Sequence, residues 1–180
     1  FRNSGNDGLD LMETEAVVRD SIFEASGDKG ISVGEGSVLL AMNDVFDGCG
    51  IGIQAKDGSE AVAYNIDLVN NQKAVDAYRK NWRYGNGGHV RLYKAHLAGN
   101  TSAFTLDEHS SISVYDSYVP ADAVVGKGVF LHSSVDAKTS RQGRANEFRG
   151  GIGRGPKVAL FEPHWQFARA DRRGAHAAAD

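Results

Sequence analysis

One cysteine, Cys49, in a chain of 180 residues has no partner for an intrachain disulfide. It equally removes any zinc site built from several thiolates. Three prolines are too few for a polyproline linker or a collagen-like repeat. No sign of charge prevails: 20 Lys and Arg stand against 23 Asp and Glu, a formal net charge of -3. A protein built around a nucleic-acid backbone would carry a basic excess, so no nucleic-acid partner is expected. No uncharged apolar run approaches the roughly 20 residues that cross a bilayer as a helix, so no membrane partner is expected. The opening Phe1-Arg2-Asn3-Ser4-Gly5 has neither an initiator Met nor an apolar signal-peptide core. That is the expectation for a piece of a longer chain.

Glycine is what the chain has in excess, with 22 residues, where the usual share of roughly 7% would give about 13. Many glycines with few prolines indicate turns that need positive φ. The length predicts one domain, and 41% hydrophobic residues suffice for its core. Residues 1–9 are polar and read as a flexible arm, leaving 10–180 as the domain. Leu9, Leu11, Met12, Val17, Val18, Ile22 and Phe23 recur at mostly helical spacing, with Asp10 or Thr14 available as caps. A second helix is expected over Ser37–Phe46 and a third over Ala61–Trp82. After Gly85-Asn86-Gly87-Gly88 the pattern alternates. Strands are predicted at His89–Leu97, Ser111–Val119, Gly128–Val135 and Lys157–Glu162. Helices first and strands later describe an α+β domain, a mainly helical first half followed by a split, antiparallel-rich sheet. No repeat period stands out.

Six histidines are scattered, with no H-E-x-x-H and no pair at i, i+4, so no metal site is expected. The run Gly150-Gly151-Ile152-Gly153-Arg154-Gly155-Pro156 lacks the third glycine and the following helix of a dinucleotide fingerprint. It reads as a loop in which Arg149 and Arg154 flank open backbone suited to an anionic ligand. Tyr78, Trp82, Tyr84 and Tyr93 cluster around the glycine turn and read as core and rim.

Two strands taken together, Arg91-Leu92-Tyr93-Lys94-Ala95-His96 and Gly128-Val129-Phe130-Leu131-His132-Ser133-Ser134, resemble the core motifs of mono-ADP-ribosyltransferases. In that family the first strand reads apolar-Tyr-Arg-Gly/Ala and the later one Gly-Phe-Leu-Ser-Thr-Ser. The likeness covers roughly residues 66–165 and is closest to type III secretion effectors of plant-pathogenic bacteria, of the XopAI type. It implies an ADP-ribosyltransferase-like fold, NAD as cofactor, a host protein as partner, and delivery into a host cell as a secreted virulence factor. The catalytic positions it implies are Lys94, His132, Ser133 and Ser134, with Arg91 and Tyr93 beside them.

The chain departs from the family at each of these motifs. Lys94 stands at the arginine position and lacks the planar fork that grips phosphate or ribose oxygens. His132 stands where a small hydroxyl is expected. After Ser134 no Glu-x-Glu occurs; Glu147 and Glu162 are the available surrogates for the carboxylate that stabilises an oxocarbenium-like centre. Two readings follow. In one, the altered cleft lacks the classical NAD-dependent activity and binds a peptide or arginine-bearing partner through Asp116, Glu147 and Glu162, with Arg149 and Arg154 at the rim. The chain's own Arg2 would be a ligand in cis. In the other, an active transferase moves ADP-ribose from NAD to a host protein.

Overall fold

The computed structural model describes residues 1–132. They lie within the first of two units into which the chain divides, Phe1–Ala145 and Asn146–Asp180. The described residues form fifteen strands and no helix. A first coil carries β1 (Leu9–Met12), β2 (Glu15–Arg19) and β3 (Ile22–Glu24). A second carries β4 (Lys29–Gly34), β5 (Val38–Met42) and β6 (Val45–Asp47). The third has β7 (Ile51–Lys56), β8 (Glu60–Tyr64) and β9 (Asp67–Val69). The fourth has β10 (Lys73–Tyr78), β11 (His89–Tyr93) and β12 (His96–Ala98). Then come β13 (Ser102–Leu106), β14 (Ser111–Tyr115) and β15 (Val129–Leu131).

The strands pair into three sheets. Sheet 1 runs β1-β4-β7-β10-β13, sheet 2 runs β15-β14-β11-β8-β5-β2, and sheet 3 runs β12-β9-β6-β3. Every pairing is parallel. Neighbouring strands in a sheet are therefore one full coil apart in sequence, which makes the described residues a parallel β-solenoid. The register is regular: Leu9 lies beside Ile31, and Ile31 beside Ile53, a step of 22 residues.

Side-chain rows fill the interior. Ile31, Val33, Ile53 and Val75 come from sheet 1, Leu39, Ala61, Leu92 and Ile112 from sheet 2, and Phe23, Phe46, Leu68 and Leu97 from sheet 3, all fully buried. Phe1 stacks on Phe23 and Phe23 on Phe46, with centroids 4.6 and 4.9 Å apart, the spacing that adjacent rungs impose. Sheet 1 has glycine where sheet 3 delivers these large groups. A Cβ on Gly30 would sit 2.6 Å from Phe46 Cδ1, and one on Gly52 would sit 2.5 Å from Leu68 Cδ2.

Corners repeat as well. Asp20, Asn43, Asn65, Lys94 and Asp116 hold positive φ at successive sheet 2 to sheet 3 turns, a conformation Asn and Asp tolerate best after Gly. Asn43 Nδ2 donates to Asp20 Oδ1 at 3.1 Å and Asn65 Nδ2 to Asn43 Oδ1 at 2.5 Å, linking coil to coil. At the sheet 3 to sheet 1 corner, buried Asn71 accepts from the Cys49 backbone N–H and donates to the Phe46 carbonyl.

This architecture corrects the expected α+β fold. The three helices expected over Leu9 to Phe23, Ser37–Phe46 and Ala61–Trp82 are strands and turns among the described residues, and the antiparallel-rich sheet is parallel. The physical cause is a coincidence of periods. Three corners share 22 residues, so apolar positions recur about every seven, close to two turns of an α-helix at 3.6 residues each. Short apolar runs such as Val38-Leu39-Leu40-Ala41-Met42 carry apolar groups on both faces, and periodicity cannot tell them from buried helix. The residues expected to form a flexible arm are docked: Arg2 bridges in parallel to Glu24, and its Nε lies 3.1 Å from Glu24 Oε2.

Candidate functional site

The step between neighbouring strands is 22 or 23 residues through the first three coils and then jumps at the fourth. Lys73 lies beside Ile51, but His89 lies beside Glu60 at a step of 29, and the step returns to 22 where His89 meets Ser111. Seven additional residues thus lie between Tyr78 and His89. In a solenoid such an insertion has no place in the sheets and emerges as a surface loop, commonly on the binding face.

The loop is anchored at both roots. Asp57, fully buried in the turn after β7 at φ 54, accepts the backbone N–H groups of Lys80 and Asn81 at 2.7 Å each. Asp107 accepts the Arg79 N–H at 2.9 Å and the Ser110 hydroxyl at 2.7 Å. Burial works against its charge, yet the hydrogen bonds from Arg79, Ser110 and His109 outweigh it and hold the Asp107 carboxyl below its ordinary value. At the far root Gly58 N–H donates to the Gly87 carbonyl, and Gly87 N–H donates to the His109 carbonyl. A side chain on Gly88 would overlap the Ala55 carbonyl, so the chain can press against β7 there only as glycine.

On this base the loop projects Arg79, Lys80, Trp82, Arg83 and Tyr84. Trp82 is 80% exposed. The Arg83 guanidinium carbon lies 6.0 Å from the centre of its ring, at the outer reach of a cation–π contact. Arg79 Nη2 lies 2.6 Å from His109 Nε2, which orients the guanidinium toward the sheet corner.

The residues singled out by the transferase resemblance lie on the outer face and edge of sheet 2. Arg91 points outward from β11 and pairs with Glu60 at 3.3 Å. Tyr93 stacks on Tyr115 at 4.6 Å, and Tyr115 on His132 at 4.2 Å, in one ladder along the sheet edge. Lys94 and Asp116 occupy successive corner positions at φ 51 and 46. Lys94 Nζ sits 5.4 Å from the Tyr64 ring centre. The structure thus brings Tyr93, Lys94, Asp116 and His132 along one edge. They span three rungs, so Lys94 and His132 stand about 10 Å apart at the spacing of a parallel sheet. The two motif strands β11 and β15 flank β14 in the same sheet. Ser133, Ser134, Glu147, Arg149, Arg154 and Glu162 lie outside the described residues.

Two further carboxylates are structural. Asp76 accepts from Gln54 Nε2 at 2.8 Å, from Lys73 Nζ at 3.3 Å and from the Thr105 hydroxyl, so its lone pairs are engaged. Asp44 is buried in the turn before β6, where its Oδ1 accepts the Ser21 N–H at 2.8 Å and its Oδ2 has no partner. Loss of hydration raises its pKa to about 7. Among the described residues no group of three His, Cys, Asp or Glu is placed to hold a metal ion.

Sequence reasoning missed the loop because Trp82 read as core or rim. The signal that would have found it is the register itself. Gly8-Leu9-Asp10-Leu11, Gly30-Ile31-Ser32-Val33, Gly52-Ile53-Gln54-Ala55 and Ala74-Val75-Asp76-Ala77 recur every 22 residues, and the next match arrives late. No protein-family model, curated protein or solved structure matches this chain.

Proposed function

We propose that this chain is a protein-binding β-solenoid whose contact point is the loop that carries Trp82. The observation that carries the reading is an indole 80% exposed on a loop pinned by two carboxylates. Leaving so large an apolar group in water forgoes the stabilisation that burial would give. Pinning the backbone lowers the ordering cost of binding, because the loop is in place before the partner arrives. Trp, Tyr and Arg are also the residue types that dominate protein interfaces when they are buried by a partner. The loop presents all three within six residues, from Arg79 to Tyr84.

The ADP-ribosyltransferase reading draws its support from the two strand motifs alone. A pocket enclosing NAD needs side chains converging on one volume, whereas the flat outer face of a parallel sheet diverges them along rows. Binding through the loop needs no such pocket.

The test is selection of a displayed peptide library on the immobilised full chain, followed by calorimetry of the selected peptides. Trp82→Ala is expected to weaken them by about 30-fold, the effect of losing a hot-spot contact worth about 2 kcal/mol. Trp82 makes no core contact, so the variant should melt like the parent. Peptides that bind Trp82→Ala as tightly as the parent would overturn the reading.

A further inference from the structure

Charge is unevenly distributed along the solenoid. Residues 1–76 contain fourteen Asp and Glu against five Lys and Arg. Between Asp76 and Asp107 there is no acidic residue, and Arg79, Lys80, Arg83, Arg91 and Lys94 all fall in that interval. The fold turns this interval into a band. Arg79, Lys80 and Arg83 sit on the insertion at the corner between sheets 1 and 2. His89 and Arg91 alternate with buried Val90 and Leu92 and so face outward along β11, and Lys94 stands at the opposite corner. The cations therefore cross sheet 2 from corner to corner within a single coil.

Their charge is little compensated. Arg91 meets Glu60, but both side chains are almost half exposed, and such pairs contribute little. Arg79 is held by His109, and Lys94 lies over the Tyr64 ring. Among the described residues Lys80 and Arg83 have no carboxylate in salt-bridge range. On one side of the band the corner positions are acidic, Glu13, Glu35 and Asp57, one per coil. A polyanion lying along the solenoid axis would meet Glu13 and Glu35, Asp57 being buried beneath the loop, while one lying across sheet 2 would stay over the cations.

We propose that the partner of the Trp82 loop presents an acidic, extended peptide segment that crosses sheet 2 along the fourth coil. The inference rests on the loop reading for its contact point and adds the chemistry of the ligand. An extended segment suits the spacing: β11 rises about 3.3 Å per residue, so a peptide crossing it runs from the loop cations Lys80 and Arg83 past Arg91 in mid-strand to Lys94 at the far corner, with carboxylates on alternate residues about 6.6 Å apart. Because β11 is paired on both sides, binding proceeds through side chains alone and depends on charge, so it weakens with salt.

The experiment titrates the full chain with fluorescein-labelled deca-glutamate, deca-lysine and a heparin hexasaccharide, read by fluorescence polarisation at 50 and 200 mM NaCl. The chain is expected to bind deca-glutamate and not deca-lysine. Raising the salt should weaken binding severalfold. The double variant Lys80→Glu, Arg83→Glu, which alters two exposed side chains, should weaken it at least tenfold. Three results would overturn the inference: no binding of deca-glutamate, equal binding by the double variant, or binding of the hexasaccharide without deca-glutamate. Peptides selected in the library experiment provide a separate arm. If they depend on Trp82 but carry no acidic excess, the acidic-segment inference fails and the loop reading stands. If deca-glutamate binding is lost in the double variant but untouched by Trp82→Ala, the loop's indole is dismissed and the acidic ligand stands.

Discussion

Asp44 gives this solenoid a pH dependence opposite to that of most carboxylates. Its side chain is 1% exposed, one oxygen accepts the Ser21 N–H, and the other has no partner. Burial raises its pKa from 3.8 to about 7. The folded chain therefore holds a proton that the unfolded chain releases near pH 4. Between those values the unfolded state binds fewer protons, so stability falls as pH rises and levels off above about 7. Each pKa unit corresponds to about 1.4 kcal/mol, so the full loss is about 4 kcal/mol. Asp44→Asn keeps the acceptor for Ser21 and removes the charge. Urea unfolding followed by circular dichroism at pH 4.5, 6 and 8 measures the effect. At a urea slope of about 2 kcal/mol per molar, the parent midpoint should drop by up to about 2 M across that range. The variant should lose most of that drop, match the parent near pH 4.5, and exceed it at pH 8. Asp107, whose pKa is lowered, adds stability that disappears only as pH falls below about 4, outside this window. A parent midpoint that rises from pH 4.5 to 8, or a variant with the same slope as the parent, would refute the reasoning.

Two other outcomes are expected. Asn71→Ala removes the acceptor of the buried Cys49 N–H and donors to the Phe46 carbonyl and Asn100 Oδ1; a loss of about 3 kcal/mol is expected by urea unfolding, since each orphaned buried group costs about 1 to 3. NAD is expected to leave the melting temperature unchanged and to release no nicotinamide on incubation with the chain; saturable stabilisation with nicotinamide release would restore the transferase reading.

Among the described residues β11, β14 and β15 were legible from alternation, whereas β13 was missed and the expected strand His89–Leu97 breaks at Lys94 into β11 and β12. The strand expected at Lys157–Glu162 and the end of Gly128–Val135 lie outside the described residues. Val90 and Leu92 inward against Arg91 outward, and Ile112 and Val114 inward against Ser113, follow the parity that the sequence displays. The first half misled because its strands are short and apolar on both faces, so Val38 to Met42 satisfies a helical window as well as a strand. The candidate site was legible only in part. Arg91, Tyr93 and Lys94 were picked out for a chemistry of convergent groups, and they lie in the cationic band instead. Trp82 reads with Tyr78, Tyr84 and Tyr93 only as core and rim, because an isolated indole in a sequence carries no information about which side of a sheet its loop leaves.

Taken alone, the sequence determined that no disulfide could hold the chain and that its turns would need positive φ. It also placed the acidic and basic residues in separate stretches, which any fold would inherit. The tertiary structure decided the rest. Parallel pairing is a long-range event: Asn43 meets Asp20 and Asn65 because these coils close after 23 and 22 residues, and nothing within a single strand specifies that closure. The same stacking converts a cation run scattered over sixteen positions, Arg79 to Lys94, into one band across a sheet. It also pushes seven surplus residues outward, because a rung of fixed length has no room for them.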